Sequence, residues 1–463
     1  MMSFQISGLS QAMLDNLSIL GFTEPTPVQQ QALPAVLAGK DVIAMARTGS
    51  GKTAAFGIGL VERLEVRRFS VQGLVLCPTR ELADQVARAI RELARSQHNV
   101  KVLTLCGGTP IGPQIGSLSH GAHIIVGTPG RVKDHLDKGT LTLDGLRTLV
   151  LDEADRMLDM GFEEAVNAIV ARCPERRQTL LFSATWPKHV RRLSERYQQN
   201  PVSVTVEEHP EASAPSIQEI FYEVADGEEQ KALAGLLSTR QPSACLVFCA
   251  TRQQCDDVVS FLGQQGFTAA SLHGDMDQKD RDQVLILFAS QSCPILVATD
   301  VAARGLDIDD LPLVVNMEPA RSPETHTHRI GRTGRAGNEG LAVTFFSPAR
   351  AHKVTRLEQA RGSEIEPLDA GELLTAAPAP WQPARVTLCI AGGRKEKVRP
   401  GDILGALTGE AGLPGGVVGK ITIQEFQSFV AVDSTVADKA LRRLEQGRIK
   451  GRRFRVRTVR AGL

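Results

Sequence analysis

Apolar residues fall in short continuous runs in the first part of the chain, at Asp41–Ala46, Gly73–Cys77, Val100–Leu105, His123–Val126, Thr148–Leu151 and Thr179–Phe182, with stretches of helical spacing between them. Runs that are apolar at every position, rather than at alternate ones, predict strands covered on both faces, as in a parallel sheet with right-handed helical crossovers. The pattern then recurs. Leu74-Val-Leu-Cys-Pro-Thr-Arg80 resembles Leu246-Val-Phe-Cys-Ala-Thr-Arg252, and Ile124-Ile-Val-Gly-Thr128 resembles Ile295-Leu-Val-Ala-Thr299, at offsets of 172 and 171 residues. Two pairs at nearly one offset predict two similar α/β units in tandem. Functional groups then belong on the loops that follow the strand C-termini.

The units are expected over residues 1–206 and 217–365, joined by a linker at 207–216 (EEHPEASAPS). A second linker at 366–383, containing AAPAPWQP, is expected to be extended. A third domain, 384–463, reads β-α-β-β-α-β, over Arg385–Ala391, Pro400–Thr408, Val417–Ile423, Phe426–Asp433, Thr435–Gln446 and Arg453–Val459. In its last strand, period-2 alternation puts Arg453, Arg455 and Arg457 on one side and Phe454 and Val456 on the other.

Composition adds two points. A hydrophobic share of 42% and a charged share of 23% suit ordinary cores, packed mainly by aliphatic residues because aromatics are only 4%. The net charge of +1 conceals an asymmetry: residues 384–463 carry 16 basic and 7 acidic side chains, whereas the rest carries 37 and 45. A basic tail on an acidic body predicts a polyanionic partner. No secretory signal or membrane-spanning run is read, so the protein is expected in the cytoplasm without a membrane partner. The eight cysteines form no CxxC pair and are expected as buried, reduced thiols.

The segment Ala46-Arg47-Thr48-Gly49-Ser50-Gly51-Lys52-Thr53 follows a strand and opens a helical run. Backbone N–H groups of such a loop cradle phosphates, Lys52 reaches the β/γ-phosphates, and the Thr53 hydroxyl can bind Mg²⁺. The strict pattern begins with glycine, where this chain has Ala46. Leu149-Val-Leu-Asp152-Glu153-Ala-Asp155 ends another strand in carboxylates, with Asp152 placed to hold Mg²⁺ and Glu153 to orient or deprotonate the attacking water. ATP and Mg²⁺ are therefore the expected ligands.

These segments and those around them resemble the DEAD-box RNA helicases of superfamily two, from about Phe4 to Ser363. The resemblance implies two RecA-like parallel-sheet domains. It implies that Phe22 stacks on adenine, that Gln29 reads its edge, and that Phe4 is the isolated upstream aromatic. Pro78, Thr79, Arg80, Gly108, Thr128, Gly130 and Arg131 match the RNA-backbone segments of the first unit. Arg252, Gly274, Gln278, Arg281, Thr299 and Asp300 match those of the second. Asp155, Ser183, Thr185 and His328 match residues that couple hydrolysis to unwinding. Gly305 and Asp307 fall at the nucleotide, and Arg332 and Arg335 are the arginine fingers. With phosphate loop and acidic pair in one unit and the arginines in the other, closure would complete the site. RNA bound across both units would favour that same state.

The third domain resembles an RNA-recognition motif, an α+β fold. Its stacking positions are degenerate: Phe429 is kept as a base-stacking aromatic, but Gln427 and Cys389 stand where others are usual. With Arg394, Lys395, Lys397 and Arg399 in a loop, the three strand arginines make RNA the expected ligand of the tail. The segments RPGDILGAL and IKGRRFRV resemble the bacterial branch of the family whose extra domain reads a 23S ribosomal RNA hairpin. That implies structured RNA in large-subunit precursors as the partner, with no DNA and a monomeric chain. Two other readings are a DNA translocase on the same scaffold and an ATP-gated RNA clamp with little unwinding. The DEAD tetrapeptide and Gln29 segment speak against the first, and Glu153, Arg332 and Arg335 against the second.

Overall fold

The computed structural model describes residues 4, 6, 8–46, 49–206, 217–303, 308, 310–334, 339–409 and 412–460. Two compact units divide near residue 210. The first holds β1 (Val42–Met45), β2 (Gly73–Leu76), β3 (Val102–Leu105), β4 (Ile124–Gly127), β5 (Thr148–Leu151), β6 (Gln178–Ser183) and β7 (Val202–Thr205), in the sheet order β3-β4-β2-β5-β6-β1-β7. All pairings are parallel. β2, β4, β5 and β6 are buried at every position, as expected of strands covered on both faces.

The edge strand β7 was not read from the sequence. Polar clamps hold it there. Buried Asp41 accepts from Thr179 N (2.6 Å) and Gln199 N (2.7 Å), and the Gln198 amide donates to Val42 O and Thr179 O. These bonds tie the entry to β7 onto β1 and β6.

The second unit holds β8 (Ile217–Glu223), β9 (Cys245–Cys249), β10 (Ala269–Leu272), β11 (Ile295–Thr299), β12 (Leu313–Asn316), β13 (Gly340–Phe346) and β14 (Leu368–Asp369), ordered β10-β11-β9-β12-β13-β8-β14 and again parallel. The sequence copies occupy equivalent places: β2 and β9 are third in their sheets, β4 and β11 second. Both copies also open the next helix with a threonine cap, Thr79 Oγ1 accepting from Leu82 N and Thr251 Oγ1 from Gln254 N.

The expected extended linker 366–383 is a correction. β14 adds a seventh strand, and Leu373, in the helix Gly371–Thr375, is buried in the core of the second sheet. Ala379 N donates to Ser238 Oγ (2.9 Å), and Trp381 meets Phe267 edge-on at 5.9 Å. Apolar anchors and backbone bonds make this stretch part of the second sheet domain. The other linker, 207–216, lies outside the described residues.

The remainder forms β15 (Arg385–Ile390), β16 (Val418–Ile423), β17 (Ser428–Asp433) and β18 (Val456–Val459), an antiparallel sheet ordered β16-β17-β15-β18. Leu388, Ile390, Val430, Val432 and Val456 point to its own helices, Pro400–Thr408 and Ala437–Gln446. The opposite side carries Cys389 and Phe429, paired in register. Phe429 was expected on an open stacking surface, and that expectation fails. It is 1% exposed, packed with Cys389, Val459, Ile286, Leu287 and Cys293. Hydrophobic burial has taken the ring out of reach of a base. The last strand is shorter than expected, Val456–Val459: Val456 packs in the core and Arg457 is exposed, while Arg453, Phe454 and Arg455 precede the strand, Phe454 against the core and both arginines exposed. Seven of the eight cysteines are buried. No described helix is long and apolar enough to cross a membrane.

Candidate nucleotide site and RNA-binding surfaces

In the first unit, β1 delivers the phosphate loop to the helix Lys52–Glu62. Gly51 has φ 92°, and an added Cβ would lie 2.5 Å from Gln29 Nε2, so only glycine fits both backbone and space. Lys52 is 6% exposed and donates to Ala46 O at 2.8 Å. Arg47 and Thr48 lie outside the described residues, as do Gly305, Asp307 and Arg335. Gln29 is held by the chain itself. Its Oε1 accepts from Thr26 N (3.0 Å) and its Nε2 donates to Gly51 O (3.1 Å), which ties the expected adenine reader to the phosphate loop. Phe22 meets Phe4 edge-on at 6.2 Å. A cavity of about 280 Å³ is lined by Phe22, Gly49, Gly51, Lys52, Thr53, Asp152 and Glu153, among others.

β5 carries the acidic pair into the site. Asp152 is 3% exposed, and burial pushes its carboxyl up to about 7 against the pull of Lys52. Its Oδ1 is buried without a hydrogen-bond partner. A carboxylate so placed, lining one cavity with Thr53 of the phosphate loop, fits a divalent cation, which would restore its charge. Among the described residues no group of three or more His, Cys, Asp or Glu could hold a metal, so such an ion would take most of its ligands from phosphate and water. Glu153 adopts φ 51° at the start of the helix Ala154–Asp159, and its Oε2 accepts from Arg156 Nη1 at 2.7 Å, both side chains being 4% exposed. Arg156 was missed, although its i,i+3 spacing from Glu153 on a helix start was a usable signal.

Asp155 reaches β6. Its Oδ2 accepts from Thr185 N (3.0 Å) and Thr185 Oγ1 (2.7 Å), while Ser183 Oγ donates to Thr185 O (2.7 Å). These bonds hold the Asp155 carboxyl below the usual range, against burial, which alone would raise it. Three of the expected coupling residues thus form one network.

Two arginines at the loop end of this sheet have buried N–H groups with no partner: Arg80 Nε and Nη1, and Arg131 Nη1. Arg80 packs against Gly108, whose φ is 72° and whose missing Cβ makes the room. Thr79 caps the Arg80 helix, and Thr128 precedes the helix Pro129–Asp137, where Gly130 has open space beside it. Pro78 lies between β2 and that cap, so all seven expected residues lie on the loops or first helical turns that follow β2, β3 and β4. Buried, unpartnered guanidinium N–H groups suit phosphate oxygens.

In the second unit, Arg252 pairs with Asp275, Arg281 Nη1 donates to His273 O (3.2 Å), and Gln278 Nε2 donates to Asp282 Oδ1 (2.7 Å). Gly274 has open space, and Thr299 ends β11. The Asp300 carboxylate takes a partner within the protein: Arg329 Nε and Nη2 bind its two oxygens at 2.6 and 2.8 Å. Sequence reading passed over Arg329, which sits on the helix Pro323–Ile330 with the expected His328, and Arg332 follows that helix, buried.

Residues 26–193 match the DEAD/DEAH box helicase family model, 228–337 the helicase conserved C-terminal domain, and 387–458 the DbpA RNA binding domain. The chain is 52% identical to the ATP-dependent RNA helicase DbpA of Escherichia coli, over 97% of this chain and 98% of that one. It is 42% identical to the DEAD-box ATP-dependent RNA helicase CshA of Bacillus cereus, over 81% and 71%. Among solved structures it is similar to Saccharomyces cerevisiae Dbp5 bound to RNA and ADP BeF3, with a TM-score of 0.72 and 27% identity, over 81% of this chain and 100% of that one. Phosphate loop, acidic pair and 52% identity over 97% of the chain agree, and the chain belongs to the DEAD-box family of ATP-dependent RNA helicases, with an RNA-binding domain of the DbpA type at its C-terminus.

Proposed function

We propose that this ATP-dependent RNA helicase locally unwinds structured 23S ribosomal RNA in precursors of the large ribosomal subunit, acting as a cytoplasmic monomer. The observation that carries this reading is the match of residues 387–458 to the DbpA RNA binding domain within a full-length likeness. In the proposed cycle, Lys52 leaves the Ala46 carbonyl for the β/γ-phosphates. Thr53 and Asp152 would hold Mg²⁺, which would supply positive charge beside the phosphates. Glu153 positions the attacking water, Arg332 and Arg335 balance charge on the γ-phosphate, and Gly305 and Asp307 contact the nucleotide. The bonds from Asp155 to Thr185 pass the state of the acidic pair to the RNA-facing loops, with His328 completing that link.

The test is ATP hydrolysis with 23S ribosomal RNA, unrelated structured RNA, duplex DNA and no nucleic acid. We expect the ribosomal RNA to stimulate at the lowest concentration and DNA not to stimulate. Equal stimulation by all RNAs would remove the ribosomal assignment and leave the helicase intact.

Gln29 gives a separate prediction. If it moves its amide from Thr26 and Gly51 to the adenine edge, Gln29→Ala weakens ATP about tenfold or more while changing GTP little, since two hydrogen bonds at ~0.5–1.5 kcal/mol each are lost. Competition binding of the two nucleotides measures this. Equal losses would make Gln29 a structural tie of the loop.

A further inference from the structure

The strands of the first sheet run parallel, so the turns that precede them gather on the edge opposite the phosphate loop and the expected RNA-facing loops. Turns entering β4, β2, β5, β6 and β1 lie side by side in that order, in a row about 20 Å long at ~4.8 Å per strand. The row is basic. Residues 38–41, 63–72, 142–147 and 171–177 carry eight basic and four acidic side chains. Two of the acids are engaged: Asp41 accepts from Thr179 N and Gln199 N, and Glu65 Oε2 pairs with Arg147 Nη2 at 2.5 Å. The second unit repeats the sheet but not the charge. Its turns 241–244, 265–268 and 291–294, which enter β9, β10 and β11, hold no charged residue.

Several cations of this edge lack a partner. Lys40, Arg67, Arg68 and Arg176 are exposed, and their side chains form no ion pair among the described residues. Arg63 Nε and Arg177 Nε are buried with no hydrogen-bond partner. Arg63 lies over Gly39, whose φ is 77° and whose missing Cβ leaves space for the guanidinium. Burial, and then the like charge of Arg147, hold Arg63 below its usual range, an unfavourable pairing that an anion beside them would relieve.

One aromatic stands in this field. Phe69 follows Arg67 and Arg68 and is 59% exposed, its ring resting on buried His123 at 4.8 Å between centroids. His123 Nδ1 accepts from Lys101 N (3.0 Å), so its proton is on Nε2, which donates to Val66 O (2.9 Å). The Gln72 amide donates to Glu65 O and Arg68 O. These bonds fix the turn that carries Phe69, so the ring is backed by the protein and open to solvent.

We propose that this edge of the first sheet is a second RNA-binding site, remote from the strand-end loops, where a base of a single strand stacks on Phe69 and neighbouring phosphates lie on Arg63, Arg67, Arg68 and Arg176. A protein partner fits less well, because protein interfaces have an apolar centre and Phe69 is the one exposed large apolar side chain on these turns among the described residues. A lone aromatic among arginines is the pattern of sequence-tolerant single-strand recognition, and the forked guanidinium suits phosphate. The ligand is a single-stranded RNA segment flanking the one being unwound. The site goes beyond the ribosomal assignment and does not rest on it.

The test uses the full chain without nucleotide and a long oligouridylate, which carries no ribosomal sequence. Ultraviolet crosslinking with peptide mapping should place uridine on residues 65–70, and RNA recovered only on other segments overturns the site. Arg67→Ala with Arg68→Ala should flatten the salt dependence of binding by up to ~0.7 in slope per lost phosphate contact, and Phe69→Ala should weaken binding roughly fivefold or more. Phe69→Trp should restore affinity, and its added fluorescence should fall when RNA binds, which a folding defect at this position would not produce. An unchanged slope together with unchanged affinity in Phe69→Ala rejects the proposal. Oligoglutamate at matched charge should compete poorly for the crosslink, having no ring to stack. Competition equal to that of unlabelled oligouridylate would make the edge a surface for acidic protein and would also reject the RNA site.

Discussion

Glu153→Gln should lower ATP turnover by roughly 10²–10⁴-fold, the range for removing a positioned general base, while leaving ATP and RNA bound. The geometry separates the two effects. Glutamine keeps the shape of the side chain, and its amide oxygen can still accept from Arg156, so the buried bond at 2.7 Å has a replacement. What disappears is the negative charge on which the proposed activation of water depends. That charge also opposes ionisation of Asp152, so its removal lowers the Asp152 carboxyl toward its ordinary range and favours a bound cation. Nucleotide affinity should therefore hold or rise, and the variant should accumulate with both ligands bound. Single-turnover hydrolysis beside fluorescent-nucleotide binding measures both. Near-normal hydrolysis would remove Glu153 from the chemistry, leaving its φ of 51° and its tie to Arg156 as a structural device.

Much of this was legible because the signals are local. Strands buried on both faces write themselves as unbroken apolar runs, and β2, β4, β5 and β6 were found that way. The two copies at one offset gave the duplication, and strand-end loops gave the phosphate loop and the acidic pair. The misses are of another kind. β7 and β14 are edges held by Asp41, Gln198 and Leu373 through bonds and packing to residues distant from each in sequence. The resemblance to an RNA-recognition motif put Phe429 and Cys389 on the side away from the helices, where the register of β15 and β17 pairs them, but a motif position says which way a side chain points and not what lies against it. The apolar residues that cover them, Ile286, Leu287 and Cys293, lie about a hundred residues or more earlier in the chain, which no local pattern reports.

Arg329 is the sharpest such case, and it leads to the largest expected change in stability. It is 3% exposed, binds both oxygens of Asp300, and uses Nη1 on Asn316 Oδ1 and Glu318 O, each at 3.2 Å. Its guanidinium lies over the Phe248 ring at 5.2 Å. One side chain thus joins the end of β11, the end of β12 and Phe248 near the end of β9. Arg329→Ala strands the Asp300 carboxylate and part of buried Asn316. Removing one partner of a buried pair costs ~3–5 kcal/mol, and the lower end applies because Asp300 is 22% exposed. A loss of about 3 kcal/mol should lower the thermal midpoint of that domain by roughly 6–12 °C. Arg329→Lys should recover less than half, since a single ammonium cannot fork across two carboxylate oxygens and reach two further acceptors. Asp300→Asn, which keeps one acceptor and removes one charge, should cost less than Arg329→Ala. Differential scanning calorimetry of the three full-length variants tests the ranking. If Arg329→Ala melts within about two degrees of the unaltered protein, the network is solvent-compensated, and Asp300 is free to serve RNA as the sequence first suggested.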